Sequence, residues 1–185
     1  MEVKGVAFIA REQFVKAVFG ARIWDDLMTE VCAKHPSFKD LIFPSTLINV
    51  REFLDFNDML VEKLYEGDDT TYWKFGEKSA EWALTEGPYH KFLDNKQPGQ
   101  FIMTLPLIWS IYFTAGKAKV TIVNEHEFEI LVVQVEIPHV YFEYLTLGYA
   151  KRGLELAGAK TVNLTAVRGF SKGDKDILYR IKITI

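Results

Sequence analysis

The chain holds one cysteine, Cys32, which excludes an internal disulfide and any multi-thiolate zinc site. A lone thiol fits a reducing compartment. No basic stripe is present: 22 Lys and Arg residues are scattered among 25 Asp and Glu for a net charge of −3, so nucleic acid is not an expected partner. Long apolar runs are also missing. The greasiest stretch, Phe101–Phe113, is interrupted by Thr104, Pro106 and Ser110. It falls short of the ~18–20 residues a membrane span needs. The opening Met1-Glu2-Val3-Lys4-Gly5 has no basic region leading into an apolar run, and its glycine is misplaced for myristoylation. Neither a secretory leader nor a lipid anchor is expected, and the expected location is cytoplasmic.

Catalytic strings are equally scarce. The four histidines, His35, His90, His126 and His139, sit in four separate segments without the spacing of a helical metal pair, and no HExxH occurs. No nucleophile elbow is present. Gly148, Gly153 and Gly158 follow no strand-to-helix turn and do not form a phosphate loop. His126, between Glu125 and Glu127, reads as a solvated turn residue ahead of a surface metal ligand. Glu77 and Glu81 lie one helical turn apart, but Lys74 and Lys78 interleave with them in the manner of a solvated face. Cys32 falls on an apolar helical stripe and reads as a buried, inert thiol. No enzyme activity is expected.

At 185 residues the chain is expected to form a single domain, 1–185, burying roughly 70% of its unfolded surface. Hydrophobic residues make up 49% and charged ones 25%, the mix of a globule rather than a disordered chain. The clearest pattern lies at the C-terminal end, where Ile177, Tyr179, Ile181, Ile183 and Ile185 alternate with Leu178, Arg180, Lys182 and Thr184. That is the period of a half-buried antiparallel strand. Segments 118–124 and 127–137 pair around Asn124–Glu127, a helix spans about 139–156, and strands 160–168 and 176–185 close the chain. The half 1–116 reads as mainly helical and the half 117–185 as β-β-α-β-β.

In the first half, Val6–Ile9 reads as a short strand or extended lead-in and 11–19 as helix, closed by Gly20. Helices follow over 23–33, 49–65 (with Asn57 the polar exception in an apolar stripe) and 70–86. The cluster Asp68-Asp69-Thr70-Thr71 offers N-cap oxygens to the last of these, and Gly87-Pro88 ends it. Segment 37–47 reads as irregular and Tyr89–Leu93 as a short helical turn. A helix over about 100–115 is apolar on nearly every side and is expected to be buried all round, with Pro106 as a kink or a true start. The fold class is α+β, a helical layer on a four-stranded antiparallel sheet.

Aromatic residues, 14% of the chain, are concentrated in Tyr72-Trp73-Lys74-Phe75, Trp82, Tyr89, Phe92, Phe101 and 109–113. Such rings fill a core, or they wall an apolar cavity that takes a small hydrophobic or planar ligand. The candidate ligand-binding residues are Trp73, Trp82, Phe101, Trp109 and Tyr112.

The opening Val3–Phe8, Phe14-Val15, Gly20, Trp24 and Leu27, the segment Tyr72-Trp73-Lys74-Phe75-Gly76, the greasy helix and the β-β-α-β-β close together resemble one superfamily. It unites haem–nitric-oxide-binding sensor domains, vinyl-reductase-type ligand-binding domains and TRAPP vesicle-tethering subunits. Within it the chain is most similar to an uncharacterised bacterial family of about this length. The resemblance covers residues 3–185 and implies a dimerising, non-catalytic sensory or scaffolding module with a protein partner in signalling. The haem-binding members use an axial histidine and a Tyr-x-Ser-x-Arg motif, which none of the eight tyrosines here begins. The cysteines of the vinyl-reductase-type members are absent too. The expectation is therefore no haem, no metal and no other cofactor.

Overall fold

Ile177–Thr184 pairs on both sides, and its odd-numbered residues are buried while its even-numbered ones are not. The computed structural model describes residues 1–87, 89–94 and 97–185. Its main sheet comprises β3 (Lys117–Asn124), β4 (Glu127–Val133), β5 (Thr161–Arg168) and β6 (Ile177–Thr184) in the antiparallel order β3-β4-β6-β5, once β1 (Glu2–Lys4) and β2 (Leu47–Asn49) are counted as a separate antiparallel pair. Register sets Phe128 opposite Ile181, Ile130 opposite Tyr179 and Val132 opposite Ile177, so one face is continuously apolar. The other face carries Arg180 paired with Glu127 and Glu129 across the β4–β6 ladder.

The helices are α1 (Gly5–Phe19), α2 (Ala21–Lys34), α3 (Val50–Tyr65), α4 (Thr71–Thr85), α5 (Pro98–Ile102), α6 (Leu105–Tyr112) and α7 (Val140–Leu156). Alpha-plus-beta architecture, the four strands and the β-β-α-β-β order all stand as the periodicity predicts. One apolar core runs from Val3 through α1, α3, α4, α6 and α7 to Ile183. Among the described residues no helix is long and apolar enough to cross a membrane.

Three local expectations are corrected. Val6–Ile9 is neither strand nor lead-in, because α1 already begins at Gly5. No side chain caps it. Instead Gly5 N donates to the Thr46 carbonyl at 2.7 Å and Val6 N to the Pro44 carbonyl at 3.1 Å. Those carbonyls satisfy donors that a local N-cap would otherwise serve. At α4 the acidic-threonine cluster supplies no cap: Asp68 accepts from the Thr70 amide and hydroxyl in a local turn. Pro88, expected to end α4 with Gly87, lies outside the described residues.

The third correction concerns 100–115. It is two short helices, not one, and they are not buried all round: Met103 and Leu107 (53% exposed) face out. Pro106 occupies the first turn of α6, where its missing N–H costs nothing. The chain then leaves the helix at Phe113, which bridges Val3.

Helices α4 and α7 approach most intimately. Gly76 and Gly148 face the partner helix's backbone, and a Cβ on either would fall on a carbonyl oxygen, of Leu145 and Trp73 respectively. Further along α7, Gly153 leaves the space occupied by the Phe101 ring.

Candidate functional site

Where α6 lies over β3, with α1 and α7 closing the flanks, a cavity of about 40 Å³ remains in the core. Its apolar wall comes from Ala7 on α1, Leu105, Ile108 and Trp109 on α6, Phe113 beyond it, Ala118 on β3, Ile130 on β4 and Leu145 on α7. Ser79, Thr146, Arg11 and three tyrosines, Tyr112, Tyr141 and Tyr149, complete it. The volume matches a few water-sized spheres, so a ligand larger than that enters only as the helices around it yield.

Two of the five sequence-derived candidates meet here. Trp109 donates its indole N–H to the Ala115 carbonyl at 3.1 Å and packs on Phe113 at 4.5 Å between ring centres. Tyr112 sits one turn on, edge-on to Tyr149 at 6.1 Å. The other three lie elsewhere. Phe101 is buried against Gly153, outside the lining. Trp73 is half-buried and donates its indole N–H to Glu77. Trp82 is half-buried near the far end of α4.

The residue that sequence reasoning missed is Arg11. Its side chain is 1% exposed, with Nε donating to Asn57 Oδ1 at 3.1 Å and the guanidinium carbon 3.6 Å from the centre of the Phe75 ring. Asn57 in turn donates to the Phe53 carbonyl at 2.8 Å. Arg11 Nη1, Tyr112 Oη and Tyr149 Oη are all buried without a hydrogen-bond partner. Burial lowers the guanidinium pKa to about 10, even though the neighbouring phenols pull it upward. Burial also pushes the Tyr141 phenol up to about 12 and those of Tyr112 and Tyr149 well above their usual value. A signal was legible: Ala7, Arg11 and Val15 are spaced as one helical stripe, facing a stripe that holds Asn57. A helix begun at Arg11 loses the first turn of that stripe, which α1 supplies from Gly5 onward.

The remaining candidates have structural partners. Glu77 accepts from Lys151, and Glu81 pairs with Lys78 and Arg152, so the two carboxylates tie α4 to α7. His139 caps α7 by accepting from the Tyr141 amide at 3.1 Å, with Asp58 beside its other nitrogen. Burial works against the Asp58 carboxylate, yet hydrogen bonds from His139 and Tyr72 hold its pKa below the ordinary value. His126 is an exposed turn residue, and Cys32 is half-buried rather than fully enclosed.

No family model matches the chain, and no curated protein matches it in sequence. Solved structures do match in fold. An H-NOX protein from S. oneidensis in its Fe(II)NO ligation state aligns over 98% of this chain and 99% of its own, at 12% identity and a TM-score of 0.77. An oxygen-binding H-NOX domain related to soluble guanylate cyclases, solved as its oxygen complex, aligns over 98% and 95% at 14% identity and 0.76. A structure that probes haem distortion in the H-NOX family gives the same figures.

This likeness corrects the expectation of a chain without a cofactor, because its structural neighbours are haem-associated proteins in ferrous, nitric-oxide and oxygen states. Among the described residues lining the cavity there is no imidazole and no thiol. The phenols that remain as oxygen donors are held protonated by burial. A ligated haem does not fit these residues as they are packed. What the chain shares with the solved structures is the fold, and that fold is the H-NOX fold.

Proposed function

We propose that the chain is a non-catalytic sensory module, a single folded unit acting in the cytoplasm, that takes a small hydrophobic or planar ligand into the cavity beneath α6. The observation that carries this reading is the cavity itself. It combines an apolar wall with unpartnered polar atoms on three of its lining residues, where helices from both halves of the chain meet the sheet. Close-packed cores leave few voids and satisfy their polar groups, so a void with both features is a binding site in waiting. The H-NOX fold of the solved neighbours supports a sensory role. A ligand seated here touches α1, α6, α7 and β4 together and is positioned to shift how the helical layer rests on the sheet.

Native mass spectrometry and absorption spectra of the purified protein test the proposal. A stoichiometric small mass released on denaturation supports it, and a Soret band would name that occupant as haem. Protein that carries nothing and takes up no apolar probe contradicts it.

A second reading, a dimeric interaction scaffold similar to TRAPP subunits, draws support from the segment after α2. Leu41 (76% exposed) and Phe43 (57%) stand out beside a groove of about 330 Å³ walled by Phe8, Trp24, Met28 and Phe38. Sedimentation at micromolar concentration separates the readings: the scaffold requires a dimer, and a monomer at 21.3 kDa removes it.

A further inference from the structure

We infer that the ligand of this cavity carries one carboxylate on a compact apolar body, and that Arg11 is the residue that selects it. The inference rests on the cavity reading above and adds the head-group chemistry. A fully buried guanidinium is costly unless its charge and its donors are met. Here Asn57 takes Nε and the Phe75 face takes part of the charge, yet Nη1 has no acceptor. Among the described residues no carboxylate pairs with Arg11, so the cavity carries an uncompensated positive charge in its wall.

The phenols of Tyr112 and Tyr149 line the same cavity, equally buried and equally unpartnered. Each is protonated and able to donate. Three donors, one of them cationic, on residues that line an otherwise apolar void form a complementary set for an anionic oxygen group. A carboxylate has lone pairs for all three, and charge-assisted hydrogen bonds are the strong ones. A monoanion also matches the single positive charge, whereas a phosphate dianion would leave an unpaired negative charge in an apolar wall. The rest of the ligand meets Leu105, Ile108, Ile130 and Leu145, which suits an aliphatic or aromatic body and rejects a second polar end.

Calorimetric titration with a matched pair, octanoate and octanol, tests this on the full chain, in the wild type and in Arg11→Met and Arg11→Gln. Both variants are first checked for folding by thermal melts. Arg11→Met keeps the length of the side chain while removing its charge and donors, and Arg11→Gln keeps a donor without the charge. We expect octanoate to bind the wild type at least about tenfold more tightly than octanol. We also expect that advantage to vanish in Arg11→Met and to shrink in Arg11→Gln, with octanol binding unchanged. Equal binding of the two probes to the wild type, or octanoate binding that survives both substitutions, overturns the head-group assignment and leaves the cavity reading standing. Failure of both probes to bind the wild type overturns the cavity reading as well.

Discussion

Gly148→Ala is a substitution whose sign separates packing from helix propensity. On an open helix face, replacing glycine with alanine is worth about 0.5–1 kcal/mol in favour of the fold. Gly148 lies where α7 crosses α4. A methyl there falls on the Trp73 carbonyl oxygen and comes within 3.1 Å of the Glu77 nitrogen. Gly76 is the reciprocal position, where a methyl falls on the Leu145 carbonyl and lies 2.8 Å from the Tyr149 nitrogen. These obstacles are backbone, so no change of rotamer relieves them and the helices have to part. Overpacking of this kind costs about 1–3 kcal/mol, and rigid neighbours put it at the upper end. Set against the propensity gain, the net loss is about 2 kcal/mol, or a fall in melting temperature of roughly 4–8 °C for a chain of this size. Gly99→Ala is the control, since its nearest neighbour is the tip of Phe128 at 4.0 Å and the melt should hold or rise slightly. Differential scanning calorimetry of both variants reads the contrast. A Gly148→Ala protein that melts as high as the wild type would refute the close-contact reasoning.

Further outcomes follow from other buried groups. Trp109→Ala removes a ring packed on Phe113 and Phe142 together with its hydrogen bond to Ala115, and should cost about 3–5 kcal/mol in chemical denaturation; a loss below about 1 kcal/mol would show that the indole is not packed as described. Glu143, fully buried, accepts from the Ser171 amide, the Ser171 hydroxyl and the Tyr179 hydroxyl. Glu143→Ala orphans all three donors, so amide exchange at Ser171 should accelerate well before global unfolding, and unchanged protection there would contradict this anchoring role. Tyr72, Tyr112, Tyr141 and Tyr149 all have raised pKa values, chiefly from burial. Their unfolded counterparts ionise near pH 10, so stability that is complete below that pH falls as pH climbs past it. Arg11 acts oppositely: its folded pKa of about 10 lies below its unfolded value, so its own contribution to stability rises as pH climbs past 10, but it is one group against several phenols. Phenolate absorbance should therefore rise together with loss of circular dichroism above pH 10, and a smooth titration of all eight tyrosines in a still-folded protein would contradict the burial.

The sheet half was legible because its signal is local. Alternation along Ile177–Thr184 and Glu127–Val133 needs no partner to be recognised, and only the end of β4 was overrun. Gln134 takes a left-handed φ of +59° there, a turn its sequence does not advertise. Helix ends met by distant backbone were not legible. The start of α1 depends on carbonyls of Pro44 and Thr46, some forty residues away in sequence. Composition singled out Trp109 and Tyr112, which line the cavity, but could not separate them from Trp73, Trp82 and Phe101, which pack between helices or at their edges. Arg11 escaped because a charged residue near the chain's start reads as solvated until the facing stripe with Asn57 is known. Gly148, rejected as part of a phosphate loop, and Gly76 acquire their role only from the α4–α7 crossing.

The most direct measurement is a methyl-resolved NMR titration of the protein with indole, a planar apolar probe. Occupation of the cavity beneath α6 predicts saturable shifts at Ala7, Leu105, Ile108, Ala118, Ile130 and Leu145, with the methyls of Met28, Leu41 and Ile42 unmoved. Shifts confined to that outer groove, or none at the cavity wall up to the solubility of the probe, would contradict the account.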